Sequence, residues 1–115
     1  MPDKDDPTDR SVTFINVFEI PADKVDAFLP GWRERARIMS TMPGFRDYRM
    51  HRAISGDSRF QLVVVGHWDS PDALAAAMAN PDFRAQMRAL DEDPDLRISY
   101  SPALYEVAVS DTRHE

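Results

Sequence analysis

The chain has 115 residues, 43% of them hydrophobic, which is the length of one domain and enough to bury one core. Fourteen basic against twenty acidic residues leave a net charge of −6, which argues against nucleic acid or an anionic membrane as the main partner. With no cysteine, disulfides, thiolate metal sites and cysteine nucleophiles are excluded, and no apolar run reaches membrane-spanning length.

Residues 1–10 are polar and lack apolar periodicity, so they read as a disordered arm. Met1-Pro2-Asp3-Lys4-Asp5-Asp6 has no apolar h-region, and the expected location is cytoplasmic. The domain is expected over 11–110, with 111–115 as a tail.

Val12 to Glu19 is β-branched and aromatic and reads as the first strand. Val12, Phe14, Asn16 and Phe18 share one face; Thr13, Ile15 and Val17 share the other. Pro21 opens a helix expected to reach about Met42, with Val25, Phe28, Leu29, Trp32, Ala36 and Met39 at helical spacing. Pro30-Gly31 predicts a kink or an early break in it. Pro43-Gly44 stops the helix and launches a second strand, Phe45 to Ile54. Ser55-Gly56-Asp57-Ser58 predicts a tight hairpin connection to a third strand, Arg59 to Trp68. There Leu62-Val63-Val64-Val65 looks buried on both faces.

Ser70 caps the next helix with Pro71 at its first position, and Leu74, Ala77 and Met78 form its buried stripe. Asn80-Pro81-Asp82 repeats the start signal for a helix with Phe83, Met87 and Leu90 inward. Residues 91–95 are an acidic solvated loop. Ile98 to Val109 is the last strand, and Pro102 predicts an edge position or a bulge. The order β-α-β-β-α-α-β predicts an α+β, ferredoxin-like domain: a four-stranded antiparallel sheet with helices on one face. The apolar residues of the other face, Ile15, Val63 and Val65 among them, call for a second sheet, and a homodimer supplies one.

Chemistry has few candidate carriers. No nucleophile elbow or glycine-rich phosphate loop occurs, so nothing supports flavin or nicotinamide. His51 and His67 read as satisfied or exposed histidines rather than a metal site. Arg33, Arg35, Arg37, Arg46, Arg49 and Arg52 fall on several faces; one of them could meet an anionic substrate, and spacing does not select which. Asn16 is a polar side chain in an apolar strand, so it needs a strand neighbour, a bulge or a ligand as partner. Trp68 ends the third strand, either as a core ring or at the mouth of a pocket.

Val12-Thr13-Phe14-Ile15-Asn16-Val17-Phe18, Pro43-Gly44-Phe45 with Met50-His51-Arg52, and His67-Trp68-Asp69-Ser70-Pro71 resemble the antibiotic biosynthesis monooxygenase family over residues 12–109. The resemblance implies a dimeric ferredoxin-like α/β barrel. It also implies a cofactor-independent monooxygenase that uses O2 to turn an aromatic polyketide-type substrate, an anthrone or naphthol, into a quinone. Asn16 and Trp68 match the family's catalytic amide and indole, and Phe28, Trp32, Val64, Met78, Phe83 and Met87 are the expected substrate wall. Val64 stands where that branch carries a second Asn. The family's haem-degrading branch places a His on the helix after the Trp, where this chain has Ala77, Met78 and Ala79, which argues against haem degradation. No cofactor or metal is expected. The alternatives are a non-catalytic dimer that binds a small ligand, and a cyclase or isomerase on the same fold.

Overall fold

β-Branched and aromatic residues make Val12–Glu19 a strand, β1, in the computed structural model, which describes residues 10–91 and 98–113. A 3-10 turn over Ala22–Lys24 leads into helix α1, Val25–Ser40. Strand β2 covers Phe45–Arg52 and β3 Leu62–Trp68; helices α2 and α3 span Pro71–Met78 and Pro81–Asp91, and β4 is Ser99–Tyr105. The strands pair antiparallel in the order β2-β3-β1-β4. The element order and the antiparallel sheet are those of the ferredoxin-like α+β domain expected.

Register sorts the inner face into four rows across the sheet. Arg52, Leu62, Phe18 and Tyr100 form one; Met50, Val64, Asn16 and Pro102 the next. Tyr48, Gly66, Phe14 and Leu104 follow, and Phe45, Trp68 and Val12 close the face. Packing is strongest in the two outer rows. Phe18 and Leu62 are buried with Ile20, Val25 and Phe28, while Trp68 is buried with Leu74 and Ala77. Two small cores thus sit at opposite ends of the sheet, and the rows of Asn16 and Phe14 lie between them.

The corner that joins helices to sheet is built from two turns. Gly44, at φ 90°, accepts a hydrogen bond from the Asp69 N–H at 2.8 Å, and Arg46 pairs with Asp69 at 2.6 Å. One residue on, the Ser70 hydroxyl accepts the Ala73 N–H at 3.1 Å and caps α2. The Asn80 Oδ1 accepts from the N–H groups of Asp82 and Phe83 at 2.9 and 3.1 Å and starts α3.

Several boundaries differ from the sequence reading. Helix α1 runs unbroken through Pro30. Proline deletes one backbone bond there, and the inward stripe of Phe28, Trp32 and Ala36 seats the turns on both sides of it against the sheet. Met78 is 42% exposed rather than part of a buried stripe; only Leu74 and Ala77 of α2 are buried. Strand β4 ends at Tyr105, and Pro102 sits on the sheet edge, where its missing N–H costs no ladder bond. The expected arm over 1–9, the acidic loop over 92–95 and residues 114–115 of the tail lie outside the described residues.

The hairpin connection is longer than a tight turn. Strand β2 stops at Arg52, Ile54 is fully exposed, and β3 begins only at Leu62. Gln61 explains this. Its side chain is 4% exposed, and Nε2 donates to the carbonyls of Ser55, Gly56 and Ser58 at 3.1, 3.2 and 2.7 Å. The amide thus substitutes for strand pairing and closes the loop from inside. Gln61→Ala should therefore lower unfolding stability by about 1–3 kcal/mol, seen as a lower urea midpoint at unchanged slope. An unchanged midpoint would mean that water serves those carbonyls equally well.

Candidate functional site

Between the two cores, the sheet and the helices enclose an open-sided cavity of about 1060 Å³. This is at the upper end of the ~300–1,000 Å³ of ordinary small-molecule sites. The floor comes from the central rows of the sheet: Asn16, Val64 and Pro102, then Phe14, Gly66 and Tyr48. Gly66 lies close under its neighbours. A Cβ there would lie 3.1 Å from the Asp47 carbonyl and 3.5 Å from the Tyr48 Cβ, where the β2 backbone bulges between Phe45 and Asp47. The roof comes from Trp32, Arg35, Ala36 and Met39 of α1, Met78 of α2, and Phe83, Met87 and Leu90 of α3.

Aromatic rings line one wall in sequence. Trp32 meets Tyr48 edge-on at 5.1 Å, Tyr48 tilts against Phe45 at 6.3 Å, and Phe45 meets Trp68 edge-on at 5.4 Å. Edge-to-face contacts of this kind fix ring orientation as well as burying area. The wall therefore presents set ring edges to a planar ligand rather than adaptable side chains.

Of the eight residues singled out from sequence, six line this cavity: Asn16, Trp32, Val64, Met78, Phe83 and Met87. Two do not. Trp68 is 3% exposed and stands behind Phe45, packed on Leu74, Ala77 and Met39. Its indole supports the wall and does not form it. Phe28 is buried against Phe18, with ring centroids 5.8 Å apart, and belongs to the core. His51 and His67 project from the opposite face of the sheet. His67 Nδ1 lies 2.6 Å from the Asp47 carboxylate and His51 Nδ1 lies 3.2 Å from the Val63 carbonyl.

Two polar features stand out in the apolar lining. The Asn16 Oδ1 is buried without a hydrogen-bond partner among the described residues. Neither residue paired with Asn16 across the sheet, Val64 or Pro102, has a polar side-chain atom to offer it. Arg35 is the second, and sequence reading did not single it out. It is 8% exposed, makes no ion pair among the described residues, and holds its guanidinium 5.5 Å from the Phe28 ring centroid. Burial lowers its pKa from the ordinary arginine value, with the nearby Tyr100 acting weakly in the other direction. The signal was present in the periodicity, since Arg35 lies three residues after Trp32 and seven after Phe28 on the inward stripe.

Haem can be tested against this lining. No histidine is among the residues around the cavity, and the α2 positions facing it are Met78 and Ala79. The residues present do not fit a haem held by imidazole.

A ferredoxin-like sheet carrying an aromatic-walled cavity, with one unpartnered amide oxygen in its floor among the described residues, has the form of a small-molecule site. The chain belongs to the antibiotic biosynthesis monooxygenase family, whose sequence model matches residues 11–89. It is 30% identical to a candidate monooxygenase from Shewanella loihica PV-4, with a TM-score of 0.72 over 88% of this chain and 97% of that one. The fold is shared with SnoaB, a cofactor-independent oxygenase from Streptomyces nogalater, at 22% identity and a TM-score of 0.69 over 88% of this chain and 96% of the other. It is also 31% identical, over 64% of its length and 69% of the relative's, to a mycobilin-producing haem oxygenase of Mycobacterium tuberculosis.

Proposed function

We propose that this chain is a cofactor-independent monooxygenase that uses O2 to oxidise a planar aromatic substrate of the polyketide type, an anthrone or naphthol, to a quinone. The observation that carries this reading is the orphaned Asn16 amide in the floor of an apolar, ring-walled cavity. The orphaned atom is the Oδ1, an acceptor, and leaving it unpaired costs about 1–3 kcal/mol, so a ligand that brings it a donor, such as a phenolic O–H, recovers that cost.

The chemistry needs little from the protein. Ionising the methylene of an anthrone sends its proton to solvent and delocalises the negative charge onto the substrate oxygen. The amide of Asn16 can turn its N–H toward that oxyanion. One electron passes from the anion to O2, giving a substrate radical and superoxide. The two combine into a C–O bond, and the peroxide takes a proton. Loss of water then breaks the O–O bond and the second C–H bond, leaving a carbonyl. One methylene and one O2 thus become one carbonyl and one water, with no outside reductant. The apolar walls keep bulk water from the radical pair while it combines. In this reading Trp68 acts through Phe45, as a support for the wall rather than as a reacting group.

The reading includes a homodimer formed through the outer sheet face, where Ile15, Val17, Val63 and Val65 are only half-buried in one chain. Val64 supports a second reading, a dimer that binds the same ligands without oxidising them, because Asn16 then lacks a second amide to share the oxygen species.

Oxygen uptake with dithranol decides between them. The monooxygenase should consume one O2 per quinone formed, undiminished by chelator. Ligand binding by metal-free protein without oxygen uptake or quinone would leave the second reading standing and end the first for that substrate.

A further inference from the structure

The cavity carries a charge that the oxidation of a neutral anthrone does not call for. Among the described residues three arginines, Arg35, Arg84 and Arg88, line it, and no aspartate or glutamate does. Arg84 and Arg88 are exposed on α3 and keep their hydration. Arg35 is different: it is 92% removed from solvent, with its guanidinium 5.5 Å from the Phe28 ring, near Tyr100 and beside the Gly31 backbone. None of the four Arg–carboxylate ion pairs among the described residues includes it, since those of Arg37, Arg46, Arg52 and Arg59 all lie elsewhere. Guanidinium stays protonated in proteins, so burial leaves a desolvated positive charge at the cavity wall.

The geometry points to Arg35 as an anion anchor: the ligand of this cavity is a planar aromatic that carries a carboxylate, and that carboxylate pairs with the Arg35 guanidinium. The assignment deepens the function proposed above and rests on this cavity being the substrate site. One buried cation matches one unit of negative charge. A carboxylate is planar and matches the fork of a guanidinium with two parallel hydrogen bonds. A phosphate would bring a second charge and a larger hydration shell into a wall of rings with no further buried cation among the described residues.

Position follows from register. Arg35 lies over the Phe28–Phe18–Tyr100 end of the cavity, because Phe18 touches both other rings, at 5.8 and 6.3 Å. Asn16 is two residues from Phe18 on the same face of β1, roughly 7 Å along the strand. The carboxylate is therefore held one ring's length from the amide, and the pair fixes which edge of the substrate faces Asn16. Arg35 is a specificity determinant here, distinct from the group that meets the reacting oxygen.

The test uses quinones, which bind without being oxidised. Anthraquinone-2-carboxylate and its neutral carboxamide are titrated against the full-length protein, with quenching of Trp32 and Trp68 fluorescence as the readout. The carboxylate should bind on the order of 10- to 100-fold more tightly, the size of one charge-assisted hydrogen-bonded pair. In Arg35→Gln the preference should disappear while carboxamide affinity is kept; Arg35→Lys should retain part of it; Arg84→Gln with Arg88→Gln should leave most of it. Circular dichroism of each variant checks folding. The wild-type comparison decides even if Arg35→Gln fails to fold: equal affinity for the two ligands, or binding of neither, overturns the assignment. So does a preference that survives in folded Arg35→Gln or vanishes in the α3 double variant. A preference for carboxylate alongside no oxygen uptake from dithranol would keep the anchor and end the oxygenase reading for that neutral substrate.

Discussion

Replacing Asn16 by valine should abolish most quinone formation and at the same time leave the protein more stable. The two effects come from the two ends of one amide: the Oδ1, which is an acceptor, and the Nδ2 group, which is the donor. In the ligand-free chain the Oδ1 of Asn16 is buried without a partner, between Val64 and Pro102. Valine suits a strand, fills a similar volume and has no polar group to leave unsatisfied. Removing the unpaired amide should raise stability by about 1–2 kcal/mol, within the range measured for such groups. In the reaction proposed above the Asn16 N–H donates to the developing oxyanion, and loss of one such donor costs on the order of 10²–10³ in kcat. Urea unfolding and oxygen uptake measured on one preparation test both halves. A variant that loses stability and activity together would mean that Asn16 is structural, held by bonds that form in solution. A variant that keeps full activity would remove Asn16 from the mechanism.

Asn16 was legible because one strand of alternating apolar residues carried one polar exception on its inner face. Trp32, Phe83 and Met87 were legible for a related reason, since helical spacing points them at the sheet. The two misplacements have a common cause. Periodicity tells which face a side chain takes and not how deep it lies beneath its neighbours. Phe28 and Trp68 have the right faces, but Phe18 packs on one and Phe45 stands in front of the other. Arg35 was named only as one of six arginines, any of which could meet an anionic substrate, and was not told apart from the others. Its spacing was that of the inward stripe, yet charge is ordinarily a sign of solvent, and five other arginines nearby are exposed: Arg33, Arg37, Arg46, Arg49 and Arg52. The hairpin over 53–61 was misread because Ser55-Gly56-Asp57-Ser58 does form a turn, with the Ser58 N–H on the Ser55 carbonyl at 3.2 Å, but inside a longer loop. What lengthens that loop is a buried glutamine, and nothing local in the sequence distinguishes a glutamine that bonds loop carbonyls from one in water.

The Pro43-Gly44-Phe45 turn allows a larger stability effect to be predicted, and its cause can be divided. Gly44 has a φ of 90°, where an L side chain is strained, and a Cβ placed on it would lie 2.5 Å from the Cβ of Ala73. Ala73 cannot retreat easily, because its N–H is held by the Ser70 cap at 3.1 Å in the first turn of α2. Gly44→Ala should therefore cost about 1–2 kcal/mol for the backbone conformation and ~1–3 kcal/mol for the overpacking. The total is a large part of the ~5–15 kcal/mol that holds such a domain together. Ala73→Gly alone should cost about 1 kcal/mol in helix propensity. Combined with Gly44→Ala, it removes the obstructing methyl, so the double variant should be more stable than the sum of the two losses predicts by ~1–3 kcal/mol. The strain at φ 90° is untouched by that rescue, and the double variant should remain below the wild type. Strict additivity would show that the corner opens to admit the methyl. In that case the hydrogen bond from Asp69 to the Gly44 carbonyl, at 2.8 Å, would be expected to break, and hydrogen exchange at the Asp69 amide would report it.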